Sequence, residues 1–286
     1  MSLSITPRRN LRLASVAALG LVVAAAAIHG GWRMWPGCLP PFGRLELVPP
    51  WVGISAIIFI AAVVSGIVGF AFAAIAGALI LHYVPNGVEA VQIMMIASIG
   101  IQAYSVAGLY RSITWHRCVP FIVGGVITLP VGILILLNLH PRTCVAAMGA
   151  ALVAYGLYML LRRPVLVSKG GGTIDVLVGA LGGITGPLAA FPGAFVTVWC
   201  GMRGWDKVAQ RSACQPYILV LQVLGLGALC LVGRQGAFDP VLLAYALPGL
   251  AGAVVGLRIS HALTDMHFQG MVNLTLVVCG ISLVLK

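Results

Sequence analysis

Apolar residues fill this chain in long runs broken by short polar stretches. Six runs, at 88–110, 119–139, 143–161, 207–232, 241–262 and 267–285, are each long enough to cross a bilayer once, because about 20 mostly apolar residues span its hydrocarbon. A seventh, Leu13 to Ile28 behind Arg8, Arg9 and Arg12, reads as a retained first span, with Trp32 and Trp35 as interfacial aromatics and a proline-rich loop to Pro50 after it. Its basic start also fits a cleaved signal peptide. Two further runs, 51–84 and 174–202, are interrupted by small residues and proline. The first has 34 residues, or about 51 Å of helix at 1.5 Å per residue, too long for one perpendicular crossing. The interruptions Ser65-Gly66-Ile67-Val68-Gly69 and Gly182-Gly183-Ile184-Thr185-Gly186-Pro187 predict re-entrant turns, each joining two half-helices near mid-membrane.

An internal repeat relates these pieces. A shift of 117 places Gly66 on Gly183, Gly69 on Gly186, Gly87 on Gly204, Glu89 on Asp206 and Val91 on Val208; a shift of 124 places Gly132 on Gly256 and Gly156 on Gly280. Matches in fixed order across two blocks point to duplication. The chain divides into an amino-terminal helix and loop (1–50), a first repeat (51–163), a linker (164–173, polar and glycine-rich from Ser168) and a second repeat (174–286). With a cytoplasmic amino terminus and hairpins that return to their own side, Arg111, Arg117, Arg162, Arg163, Lys169, Arg203 and Lys207 all fall inside, as the positive-inside rule prefers. Arg33, Arg44, Arg142 and Arg234 remain outside. Each repeat then holds three crossings and one hairpin. That odd number of crossings inverts the second copy. The expected fold is an all-α polytopic membrane protein of two inverted repeats plus one extra amino-terminal helix, the plan of many secondary transporters.

Composition narrows the chemistry. Of 286 residues 60% are apolar and 8% charged, against about 25% charged in a soluble domain. The six carboxylates, Glu46, Glu89, Asp175, Asp206, Asp239 and Asp265, are scattered, so hydrolytic dyads and carboxylate metal cages are not expected. No GxSxG, HExxH or paired catalytic aspartate is present, which argues against an intramembrane enzyme. The formal charge of +11 is carried by cations spread singly through loops. They read as topology signals and lipid contacts, not as a nucleic-acid surface. Seven cysteines lack CxxC spacing and read as small core hydrophobes.

Each glycine break would start a new half-helix whose unpaired N–H groups and positive dipole end face the protein middle, an anion site when two such ends meet. Ser65, Gly66, Gly69, Gly183, Thr185 and Gly186 are the candidates there. Tight helix packing is the other use of such glycines. Polar side chains at membrane depth usually face a cavity, and Gln92, Gln102, Tyr104, Gln210, Arg211, Gln215 and Gln222 are the candidates to line it. Arg211 could grip a carboxylate, sulfite or sulfonate bidentately or snorkel to the cytoplasmic edge. Glu89 and Asp206 complement helix dipoles in the first turn of a span, with proton relay as the alternative.

Around Ser65–Phe70 and along Gly179-Ala-Leu-Gly-Gly-Ile-Thr-Gly-Pro the chain resembles the TauE/SafE sulfite exporter family of membrane permeases, over about 51–286. The second motif is the closer; in the first, Phe70-Ala-Phe-Ala-Ala stands where glycines often follow Gly69. Only the motif glycines carry over. The resemblance implies outward transport of sulfite, sulfur-containing organic acids or related small anions across a bacterial inner membrane. The expectation is a secondary transporter working by alternating access, with a small anion and membrane lipids as partners, proton or sodium coupling, a homodimer, and no cofactor or metal. A passive anion channel and a non-transporting assembly protein are the alternatives.

Overall fold

The structure, a computed structural model, describes residues 49–84, 87–138, 171–189, 191–232 and 240–284, with residues 150, 153, 154 and 157 between them. The amino-terminal span and the expected crossing at 143–161, apart from those isolated residues, lie outside the described residues. The described chain is helical throughout and contains no strand. In chain order its helices are α1 (Pro50–Val68), α2 (Phe72–Tyr83), α3 (Gly87–Leu109), α4 (Trp115–Asn138), α5 (Gly172–Ala189), α6 (Ala194–Met202), α7 (Lys207–Val232), α8 (Ala246–His261) and α9 (Asp265–Val284). Five stretches are long and apolar enough to cross a membrane: Pro50–Val68, Glu89–Ser112, Trp115–Ile135, Lys207–Leu231 and Pro240–His261. The protein is therefore a multi-pass helical membrane protein.

Local chemistry sets the helix ends. Pro50 opens α1, where its missing N–H costs nothing. Gly69 closes it in the left-handed region at φ 95°, donating its N–H to the Ser65 carbonyl at 2.6 Å. Ala71, also left-handed at φ 75°, completes the turn into α2. Asp206 caps α7, its Oδ1 accepting the Ala209 N–H at 2.7 Å, and Glu89 sits in the first turn of α3.

The first turn starts at Gly69, the last residue of its expected interruption, and the second falls later than its expected stretch. Ser65 and Gly66 lie within α1, and the whole stretch Gly182–Pro187 lies within α5, with a turn described at Phe191–Gly193 before α6. Unpaired backbone is costly without water, so the helix continues until a residue can leave it. The legs are also unequal. By length α1 covers about 28 Å and α5 about 27 Å, while α2 covers about 18 Å and α6 about 14 Å. Each long leg packs on its short one.

The two broadest interfaces are α1 on α8 and α4 on α5, and both depend on glycine. A Cβ at Gly66 would lie 3.0 Å from Gly256 Cα, while Cβ atoms at Gly124 and Gly179 would overlap the carbonyls of Val176 and Phe121. Gly132 meets the Ile184 and Gly183 carbonyls in the same way. Small residues here let backbones approach, as membrane helix pairs require. Thr128 on α4 adds a hydrogen bond from Oγ1 to the Ala180 carbonyl at 2.7 Å. Helices α3 and α7 pack on each other between these pairs.

Candidate functional site

Phe70 and Phe191 sit at the turns of the two broken segments, and their rings meet at 5.7 Å between centroids. Gly193 holds the second turn close to the first, since a Cβ there would lie 3.6 Å from Phe70 Cβ. Against this contact lies a small, partly open cleft lined by Phe70–Ala73, Phe191–Gly193, Ser98, Gln102, Ile218 and Gln222. Its bore is narrow, admitting little more than a water molecule in this conformation. The amino ends of α2 and α6 open onto it, and neither has a side-chain cap. Their leading N–H groups and dipoles favour negative charge. The amides of Gln102 and Gln222 are buried there, each with an Oε1 that has no hydrogen-bond partner.

The sequence candidates divide. Gln102 and Gln222 reach the cavity, and the turns bring Phe70–Ala73 and Phe191–Gly193 with them. Gln92 and Gln210 are buried away from it, and Tyr104 is exposed on the outer face of α3. Gly66 and Gly183 serve helix packing, and Gly186 lies 3.2 Å, by its would-be Cβ, from Pro192. Thr185, half-buried, bonds back onto its own helix, donating to the Leu181 carbonyl at 3.0 Å. Ser65 is buried.

Arg211 and Gln215 bind the first turn instead of the cavity. Arg211 Nη1 donates to the carbonyls of Gly66 at 2.8 Å and Ile67 at 3.1 Å and to Ser260 Oγ at 2.9 Å, and Gln215 Nε2 donates to the Gly69 carbonyl at 2.9 Å. These side chains satisfy the carbonyl end of α1 and oppose its negative dipole end. Arg211 is 3% exposed, so it does not snorkel.

Three features escaped the sequence reading. Phe70 and Phe191 had no signal beyond their place after Gly66-Ile-Val-Gly and Gly183-Ile-Thr-Gly-Pro. Tyr217, fully buried, donates its hydroxyl to the Gly179 carbonyl at 2.7 Å and ties α7 to α5. Asp175 accepts from Trp199 Nε1 at 2.7 Å and pairs with Arg203 at 3.3 Å, while Arg203 and Arg117 stack on Trp205 at 4.8 and 5.3 Å. Asp175→Ala leaves the Trp199 N–H without its acceptor and should cost about 2 kcal/mol. Thermal unfolding of the purified protein reads this as a lowered midpoint; an unchanged midpoint would remove the anchoring role of Asp175.

Among the described residues no group of three or more metal-ligating side chains converges, and Cys118, Cys200, Cys214 and Cys230 are free thiols. The cleft between these uncapped helix ends lies in a bundle whose helices are long and apolar enough to cross a membrane. Residues 54–283 match the family model of Sulfite exporter TauE/SafE, and the chain belongs to that family. It is a family of transporters and not of enzymes. No curated protein and no solved structure matches the chain.

Proposed function

We propose that this protein is a secondary carrier that exports sulfite or a related small sulfur-containing or carboxylate anion by alternating access across a bacterial inner membrane, binding it between the two turns. The observation that carries this reading is the cavity itself. Two uncapped helix amino ends meet there beside two buried amides, in a protein whose described buried carboxylate, Asp175, is already paired. Such a place favours an anion over a cation.

Two inverted repeats, each a re-entrant hairpin with three crossings, fit the reciprocal packing. The repeat equates Gly66 with Gly183 and Gly132 with Gly256; in space Gly66 meets Gly256, and Gly132 lies against the Ile184 and Gly183 carbonyls. Each broken segment thus leans on the second crossing of the other half, which is how a two-fold axis in the membrane plane would relate duplicated halves. Rocking one half against the other would part Phe70 from Phe191 and expose the cavity to alternate sides. The narrow bore favours a carrier over an open pore.

Replacing Gln222 by Leu removes one amide and should reduce sulfite flux in proteoliposomes by at least about tenfold, the scale of a lost hydrogen bond to a charged group. Flux equal to wild type in Gln222→Leu would sink the assignment of this cavity.

A further inference from the structure

Arg211 has more donors than its capping role uses. All of its hydrogen bonds leave from Nη1, while Nε and Nη2 are fully buried and have no partner. Those two nitrogens form one edge of the guanidinium, the side-on fork that grips two oxygens of a single anion. No carboxylate is paired with it: Asp175 pairs with Arg203, and Asp206 caps α7. The carbonyl end of α1 supplies about half a negative charge. That leaves a buried cation incompletely balanced in a membrane interior, where pairing is the rule. Ser65 Oγ, a hydroxyl donor in the last helical turn of α1 that Arg211 caps, is likewise buried without a partner.

We propose that the Nε–Nη2 edge of Arg211 is a second anion station, separate from the cavity between the turns. It takes an anion with two oxygens on one central atom, a carboxylate or a sulfur oxyanion, in preference to a halide. Arg211 stands eleven residues before Gln222 on α7, about 16 Å toward the Lys207 end, so the two places hold different ions. Gly69 connects them: a Cβ there would touch Gln215 Nε2 at 2.9 Å and Arg211 Cγ at 3.7 Å, and Phe70 on the cavity wall follows it. The station rests on the reading of this protein as an anion carrier and gives its path a second stop selective for oxyanions.

Calorimetric titration of the full chain in detergent micelles, with acetate, sulfite and chloride in a buffer free of other small oxyanions, tests this. Wild type should bind acetate and sulfite at least about tenfold more tightly than chloride. Arg211→Lys keeps the charge but loses the fork, and should lose that preference. The Gln102→Leu/Gln222→Leu variant should keep it. Wild type binding chloride as tightly as the oxyanions, Arg211→Lys retaining the preference, or the double variant losing it would each overturn the station. If Arg211→Lys does not yield folded protein, the wild-type and double-variant titrations decide. A double variant that transports normally counts against the cavity alone, so the two failures are separable.

Discussion

Gly124→Leu should prevent recovery of a monodisperse, folded protein. At this position α4 and α5 approach backbone to backbone: even a methyl group would overlap the Val176 carbonyl and lie 2.9 Å from the Ala180 nitrogen. A side chain in the way can change rotamer, but a carbonyl inside a helix cannot, so the helices must separate. Separation would break the Thr128 to Ala180 hydrogen bond and the Gly179 contact, where Phe121 lies equally close. Overpacking typically costs about 1–3 kcal/mol, and rigid backbone on both sides places this case at about 3 kcal/mol or more. The gain in helix propensity, about 1 kcal/mol at most, does not offset it. Gly227→Leu is the control, because nothing lies within 4 Å of a Cβ there, and it should leave stability unchanged. Size-exclusion profiles and melting curves of the two variants should differ sharply; matching curves would remove glycine packing as the basis of the fold.

Gly69→Val should abolish transport while the protein still folds. Two effects converge on it. The residue holds φ 95°, where a β-branched side chain is strained by about 1–3 kcal/mol, and its Cβ would press on Gln215 Nε2 at 2.9 Å. Relief of either moves the turn and breaks the hydrogen bond from Gln215 to the Gly69 carbonyl, so Phe70 shifts against Phe191 and the cavity loses its shape. The interfaces of α1 with α8 and α4 with α5 are elsewhere, so insertion and assembly persist. Flux at the level of empty liposomes, with a melting point lowered by a few degrees, is expected. Gly186→Val should be milder, because its nearest neighbour is the edge of Pro192 at 3.2 Å and its helix is regular. Wild-type flux in Gly69→Val would show that the turn geometry does not shape the path.

Much of this was legible in the sequence. Span 207–232 was expected and is found as Lys207–Val232, and α3 at Gly87–Leu109 lies one residue from the expected 88–110, because charge and glycine bound those runs. The family was legible in the two glycine motifs. Gln102 and Gln222 stood out as amides in apolar helices, whereas Tyr104, chosen for the same reason, faces outward: polarity gives depth but not rotation about the helix axis. Gly69 was within the expected first interruption, but the second turn was misplaced because glycine serves both close packing and chain reversal, and Gly183 does the first. The true turn includes Ala71 in a left-handed conformation, for which alanine carries no sign. The duty of Arg211 was hidden for another reason. Two of its three partners are backbone carbonyls 144 and 145 positions away, which any sequence would supply.

Counterflow of radiolabelled sulfite in proteoliposomes tests the central claim most directly, comparing wild type with Gln102→Leu/Gln222→Leu. An anion carrier with its site between the turns predicts saturable uptake driven by internal unlabelled sulfite, reduced to background in the double variant although that variant remains folded. Uptake that does not saturate, or that survives in the double variant, would contradict it.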